Sequence, residues 1–137
     1  MSLKRLAVAL GASALVAFAV AQAQDATVQK LVGRWEGKVD VRDEPGRTLI
    51  IRSVILERDQ WMANIEYGQP GASLSVLEAR IERQGAKTIV SFGLSTTRKV
   101  ELQLISEREL RGLLKISDND GSWVGRKMSL QKTSDKP

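Results

Sequence analysis

The chain has 137 residues, 42% of them hydrophobic, and a formal net charge of +5. It contains no histidine and no cysteine. That excludes Ser-His-Asp and Cys-His nucleophilic sites, zinc held by nitrogen and sulfur, disulfides, and a haem ligated by imidazole or thiolate.

The first element is an export signal. Lys4 and Arg5 form a positive n-region, Leu6 to Ala21 is an almost unbroken apolar stretch, and Ala21-Gln22-Ala23 places small residues at −3 and −1 of a cleavage site. The cut is placed after Ala23, with Ala19-Val20-Ala21 as a second option. The stretch is shorter than the ~20 residues that span a bilayer comfortably, and it ends in small and polar residues instead of basic ones, which disfavours a retained membrane anchor. A signal peptide over residues 1–23 implies an exported chain, periplasmic or secreted, with no stable membrane span after cleavage. About 114 residues then remain, enough for one domain with a single core. Loss of Lys4 and Arg5 lowers the net charge from +5 to about +3. The basic residues that remain alternate with acidic ones instead of clustering, so nucleic acid is not an expected partner.

Residues 24–30 are a lead-in. Asp25 to Lys30 suits a short turn of helix, with Val28 and Leu31 available to cover an open end of the fold. From Leu31 onward a period of 2 dominates. Leu31, Gly33, Trp35, Gly37, Val39 and Val41 alternate with Arg34, Glu36, Lys38 and Asp40, as in an antiparallel strand with one wet face. Thr48 to Glu57 is β-branched and apolar on both faces, which predicts a bulge or an ambiguous register. Trp61, Ala63, Ile65 and Tyr67 form one face of a third strand, and Ser75, Leu77, Ala79 and Ile81 one face of a fourth. A short strand surrounds Ile89, Val90 and Phe92; Val100, Leu102 and Leu104 mark the sixth; Leu110, Gly112, Leu114 and Ile116 mark the seventh. Ser122 to Lys132 is the last, with Val124, Met128 and Leu130 on one side, and Thr133 to Pro137 is a polar, disordered tail.

Turn sequences separate these segments: Asp43-Glu44-Pro45-Gly46, Gly68-Gln69-Pro70-Gly71, Arg83-Gln84-Gly85 and Asp118-Asn119-Asp120-Gly121 each contain a residue that tolerates positive φ. The joins at Arg58-Asp59, Leu94-Ser95 and Ser106-Glu107 are of hairpin length. The predicted fold is therefore all-β: a single up-and-down antiparallel barrel of about eight strands over residues 31–132. Closure covers the apolar face and removes both edges. A two-sheet sandwich is the competing architecture, though its crossovers usually need longer connections.

Gly33-Arg34-Trp35 on the first strand, after a short lead-in, resembles the opening of the small bacterial lipocalin-like (calycin) barrels. The resemblance implies that Trp35 packs at the closed end under a basic side chain from the last strand. By position that side chain is Arg126, which shares a face with Val124 and Met128, so Gly33, Trp35 and Arg126 would form a barrel floor. Avidin-like and protease-inhibitor barrels share the architecture.

Nothing positive points to catalysis, and no cofactor or metal is expected. Asp118-Asn119-Asp120-Gly121 has a faint likeness to the start of a calcium loop but lacks the later carboxylate, and a turn accounts for it. Glu78, Glu101 and Glu109 occupy outward positions. The expected function is exported binding of a small apolar or amphipathic molecule inside the barrel. Trp61, Ala63, Ile65, Tyr67, Ser75, Leu77, Leu102 and Leu114 would line the interior, and Ser53, Ser75 and Ser91 would serve as polar anchors. The alternative is a protein-interaction module or inhibitor whose barrel is filled by side chains, with Met62 and Trp123 as candidates for an exposed patch.

Overall fold

A computed structural model describes residues 26–137, so the signal segment and the first residues of the lead-in lie outside the described residues. Eight strands follow in sequence: β1 (Gly33–Val39), β2 (Arg47–Glu57), β3 (Gln60–Gly68), β4 (Ser75–Gln84), β5 (Lys87–Ser95), β6 (Arg98–Ser106), β7 (Glu109–Ser117) and β8 (Trp123–Ser134). Each pairs antiparallel with its neighbour in the chain, and β8 returns to pair with β1, closing an up-and-down barrel. That last seam decides between barrel and sandwich. Short hairpins put consecutive strands side by side, and closure then satisfies the backbone groups along the two remaining edges.

The bulge expected in β2 is present: its register with β3 shifts between Ile51 and Ser53. Inward positions therefore pass from Leu49 and Ile51 to Val54, and both faces of residues 47–51 are buried. The β2–β3 turn is made by Arg58 and Asp59 at φ of 50° and 63°, a left-handed pair that matches the twist of the flanking strands without any glycine.

Gly37 and Gly112 lie on inward positions where the neighbouring backbone comes very close. A Cβ on Gly112 would collide with the carbonyl oxygen of Glu101, and one on Gly37 with that of Ser129. Absence of a side chain at these two points lets β1 and β7 bend tightly around a narrow interior.

One cluster of buried apolar side chains fills that interior, from Leu31 and Trp35 at one end to Tyr67 and Phe92 at the other. A helical turn over residues 26–29 covers the first end with Val28 and Leu31, both fully buried. At the opposite end Val41, Leu77, Leu94 and Ile116 are only partly buried. The tail does not leave the barrel at Thr133: β8 continues to Ser134, Thr133 Oγ1 donates to the Arg34 carbonyl at 3.3 Å, and Asp135 meets Lys132 at 3.1 Å and Arg108 at 3.6 Å.

Candidate functional site

The covered end is built on Trp35. Its ring is fully buried, and its indole N–H donates to the Leu31 carbonyl at 2.9 Å, which ties the lead-in to the first strand. The cation above the ring is Lys132, not Arg126. Lys132 Nζ stands 5.5 Å from the ring centroid and also donates to the Lys30 carbonyl at 2.7 Å. Register explains the correction. Antiparallel pairing sets Trp35 against Lys132 and Val39 against Met128, so Arg126 falls beyond β1 altogether. It pairs instead with Leu114, lies exposed towards the opposite rim, and does not belong to the floor. Six residues of strand, at ~3.4 Å each, separate the two basic side chains by roughly 20 Å.

The interior residues expected to line a cavity are distributed as follows. Ala63, Ile65, Tyr67, Leu102 and Leu114 are buried in the core cluster, while Trp61 and Leu77 are half-buried against it. Ser75 is exposed at the rim, paired with Tyr67. Apart from Ser75, these side chains come together, but as mutually packed filling. None of the three serines reaches the core as a polar anchor: Ser53 accepts from Asn64 Nδ2 on the outer face, and Ser91 faces outward between buried Val90 and Phe92.

Tyr67 brings a polar irregularity into this core. Its ring meets Phe92 edge-on, with centroids 5.1 Å apart, and its hydroxyl is buried without a hydrogen-bond partner. Burial pushes the phenol above its ordinary pKa; the nearby Arg47 guanidinium opposes the shift by attracting the phenolate, yet meets no bonding geometry at Oη. Arg47 is itself buried and committed elsewhere, to the carbonyls of Pro45 and Gly46 and to the Glu44 carboxylate at 3.0 Å.

The Asp118-to-Gly121 segment is a self-satisfied turn. Asp118 accepts from the Asn119 backbone, and Asp120 accepts from the Ser122 hydroxyl and backbone N–H, which hold its carboxyl below the ordinary carboxylate range. Among the described residues, no group of three or more acidic side chains is placed to hold a metal ion.

Concave surface lies on the outside. One groove of about 850 Å³ runs across β6, β7, β8 and β1, with Ile105 and Leu113 in it and Lys38, Arg42, Arg111 and Lys127 around it. A second, of about 620 Å³, holds Met62 and Trp123, together with Glu78, Glu101, Arg80 and Lys99. Trp123 is 43% exposed and is stacked by Lys99, whose Nζ lies 4.3 Å from the ring centroid. A smaller cleft of about 210 Å³ at the rim is bounded by Ile116, Val124 and Arg126.

The first groove was not anticipated. Its signal in the sequence is parity: Leu113 and Ile105 are apolar residues at outward positions of two neighbouring strands, where alternation calls for polar ones. The two come to line one groove only when β6 and β7 are paired, with Gln103 and Arg111 between them. No protein-family model, curated protein or solved structure matches the chain. The eight-stranded barrel is consistent with the lipocalin-like resemblance at the level of architecture.

Proposed function

We propose that this chain is an exported, non-catalytic barrel that binds a protein partner on its outer wall. The observation that carries this reading is the filled interior. Side chains from all eight strands form one buried cluster, and Gly37 and Gly112 allow the wall to close tightly on it. A carrier needs room for its ligand inside, whereas the grooves here lie outside, beside apolar side chains that gain nothing from exposure. Of the exposed large hydrophobic side chains, Ile105 and Leu113 line the first groove and Trp123 the second. Absence of histidine and cysteine supports binding over catalysis. The segment over 1–23 supports export.

Native mass spectrometry of protein purified from its own host tests this reading, with refolded protein as the control. The expected mass is that of the polypeptide with no small-molecule adduct, alone or with a protein partner. A stoichiometric added mass of a few hundred daltons that is lost on refolding would overturn it in favour of a small-molecule carrier.

A further inference from the structure

From the larger outer groove we infer a docking site for an acidic, aliphatic segment of a partner protein. The inference rests on the reading above, that binding takes place on the outer wall. The groove's side chains form a grid fixed by strand register. Ser129 on β8 pairs with Arg111 of β7 on one side and Lys38 of β1 on the other. One step along, Leu113 pairs with Lys127. Leu113 thus lies beside cations on β7, β8 and β1, while on its β6 side it faces Glu101, which is already paired with Lys115 at 2.6 Å. Arg42 follows just past the end of β1, and Ile105 lies further along β6 in the same groove.

The charge is unbalanced here. Loss of Lys4 and Arg5 with the signal segment leaves a net charge of about +3. The groove has four cations against the single carboxylate of Asp40. Arg111 is paired with Glu109 at 2.6 Å and Arg42 lies 3.9 Å from Asp43, whereas Lys38 and Lys127 have no carboxylate partner among the described residues. In the Met62–Trp123 groove, by contrast, two acidic side chains offset two basic ones.

Spacing selects the occupant. Lys38 and Arg111 flank Ser129 across two inter-strand steps, roughly 10 Å of wall. A single carboxylate head reaches one of them, so satisfying both requires several carboxylates carried along one chain. Ile105 and Leu113, 48% and 36% exposed, offer a footing for one or two aliphatic side chains, too little to bury an acyl tail. A peptide segment with carboxylates on either side of Leu or Ile meets both conditions. Its affinity falls with salt, because the cations are solvent-facing.

The test is fluorescence anisotropy of the processed chain with a short fluorescein-labelled peptide of glutamates containing two leucines. Control peptides replace the leucines by serine or the glutamates by lysine, and phosphatidylglycerol vesicles form a separate arm. Saturable binding is expected to the Glu/Leu peptide only. The pair Lys38→Glu with Lys127→Glu is expected to weaken it about tenfold or more, as is Leu113→Ser, while Lys87→Glu on the far side leaves it unchanged. Unaltered thermal melts establish that the variants fold, and amide shift changes on peptide addition are expected to centre on residues 38, 113 and 127. Absence of binding, equal binding of the Glu/Ser peptide, binding to vesicles alone, or indifference to the charge reversals overturns the proposal. A retained interior ligand in the mass spectrum would refute the outer-wall reading while leaving this peptide result to stand or fall separately.

Discussion

Replacing Trp35 by alanine removes the largest fully buried side chain of the core. Truncations of this kind cost ~3–5 kcal/mol in a well-packed interior, because the neighbours relax only partly into the space left. Part of that loss is specific to this site. The buried Leu31 carbonyl loses its indole donor, a bond of 2.9 Å, and the lead-in turn loses the tie that holds Val28 and Leu31 over the barrel end. Against a total stability of ~5–15 kcal/mol, such a change is expected to lower the urea midpoint by ~2 M and Tm by more than ~10 °C. Far-UV circular dichroism is the appropriate probe, since Trp35 is itself a fluorophore. A cycle with Lys132→Ala is expected to show coupling of ~0.5–1 kcal/mol, reflecting the cation over the ring. Arg126→Ala, at an exposed site, is expected to stay within ~0.5 kcal/mol of wild type. A Trp35→Ala loss below ~1 kcal/mol, or coupling to Arg126 in place of Lys132, would refute the account of this end of the barrel.

Four further substitutions test other parts of the wall. Tyr67→Phe removes a buried hydroxyl that bonds to nothing and is expected to be neutral or stabilising by up to ~1 kcal/mol in urea titrations. The same variant tests the pH dependence. Because burial raises the phenol's pKa in the folded state, its contribution is intact below the ordinary value of ~10 and is lost as pH rises towards the folded value, the unfolded chain ionising first. Tyr67→Phe is therefore expected to lose less stability than wild type above pH ~10, and identical alkaline profiles would contradict the assignment. Gly112→Ala forces a Cβ against the Glu101 backbone and is expected to cost ~1–3 kcal/mol, whereas Gly93→Ala, with open space around it and no positive φ, is expected to change stability by less than ~0.5 kcal/mol. Equal thermal shifts for these two would show that the wall does not close tightly at Gly112. Asp59→Gly relieves a left-handed residue in the β2–β3 turn and is expected to raise stability by ~0.5–1 kcal/mol; a loss would mean that the turn has another geometry.

The strands were legible because alternation is a local property. Ala63, Ile65 and Tyr67 face inward for the same reason that Asn64 does not, and short turns left consecutive strands no option but to pair. Even the bulge in β2 announced itself through apolar residues on both faces. Alternation put Arg126 on the same face of β8 as Met128, yet register sets it at the other end of the barrel from Trp35. Which end a residue of β8 occupies depends on its register with β1, set by contacts almost a hundred residues apart in the chain. The continuation of β8 to Ser134 was hidden likewise, since Thr133, Ser134 and Asp135 look like a tail until Arg34, Arg108 and Lys132 are brought beside them.

By itself, then, the sequence determined an all-β chain of eight hairpin-linked strands with one apolar face, and a tryptophan near its start. Those depend on residues one or two positions apart and on turn chemistry. Only the tertiary structure decided that Lys132 covers Trp35, that the inward faces fill the barrel, and that Leu113, Ile105, Lys38 and Lys127 share one groove. Each of these is a relation between strands. At Gly37 and Gly112, likewise, the backbone that a Cβ would strike belongs to the paired strand, a distance that no single strand contains.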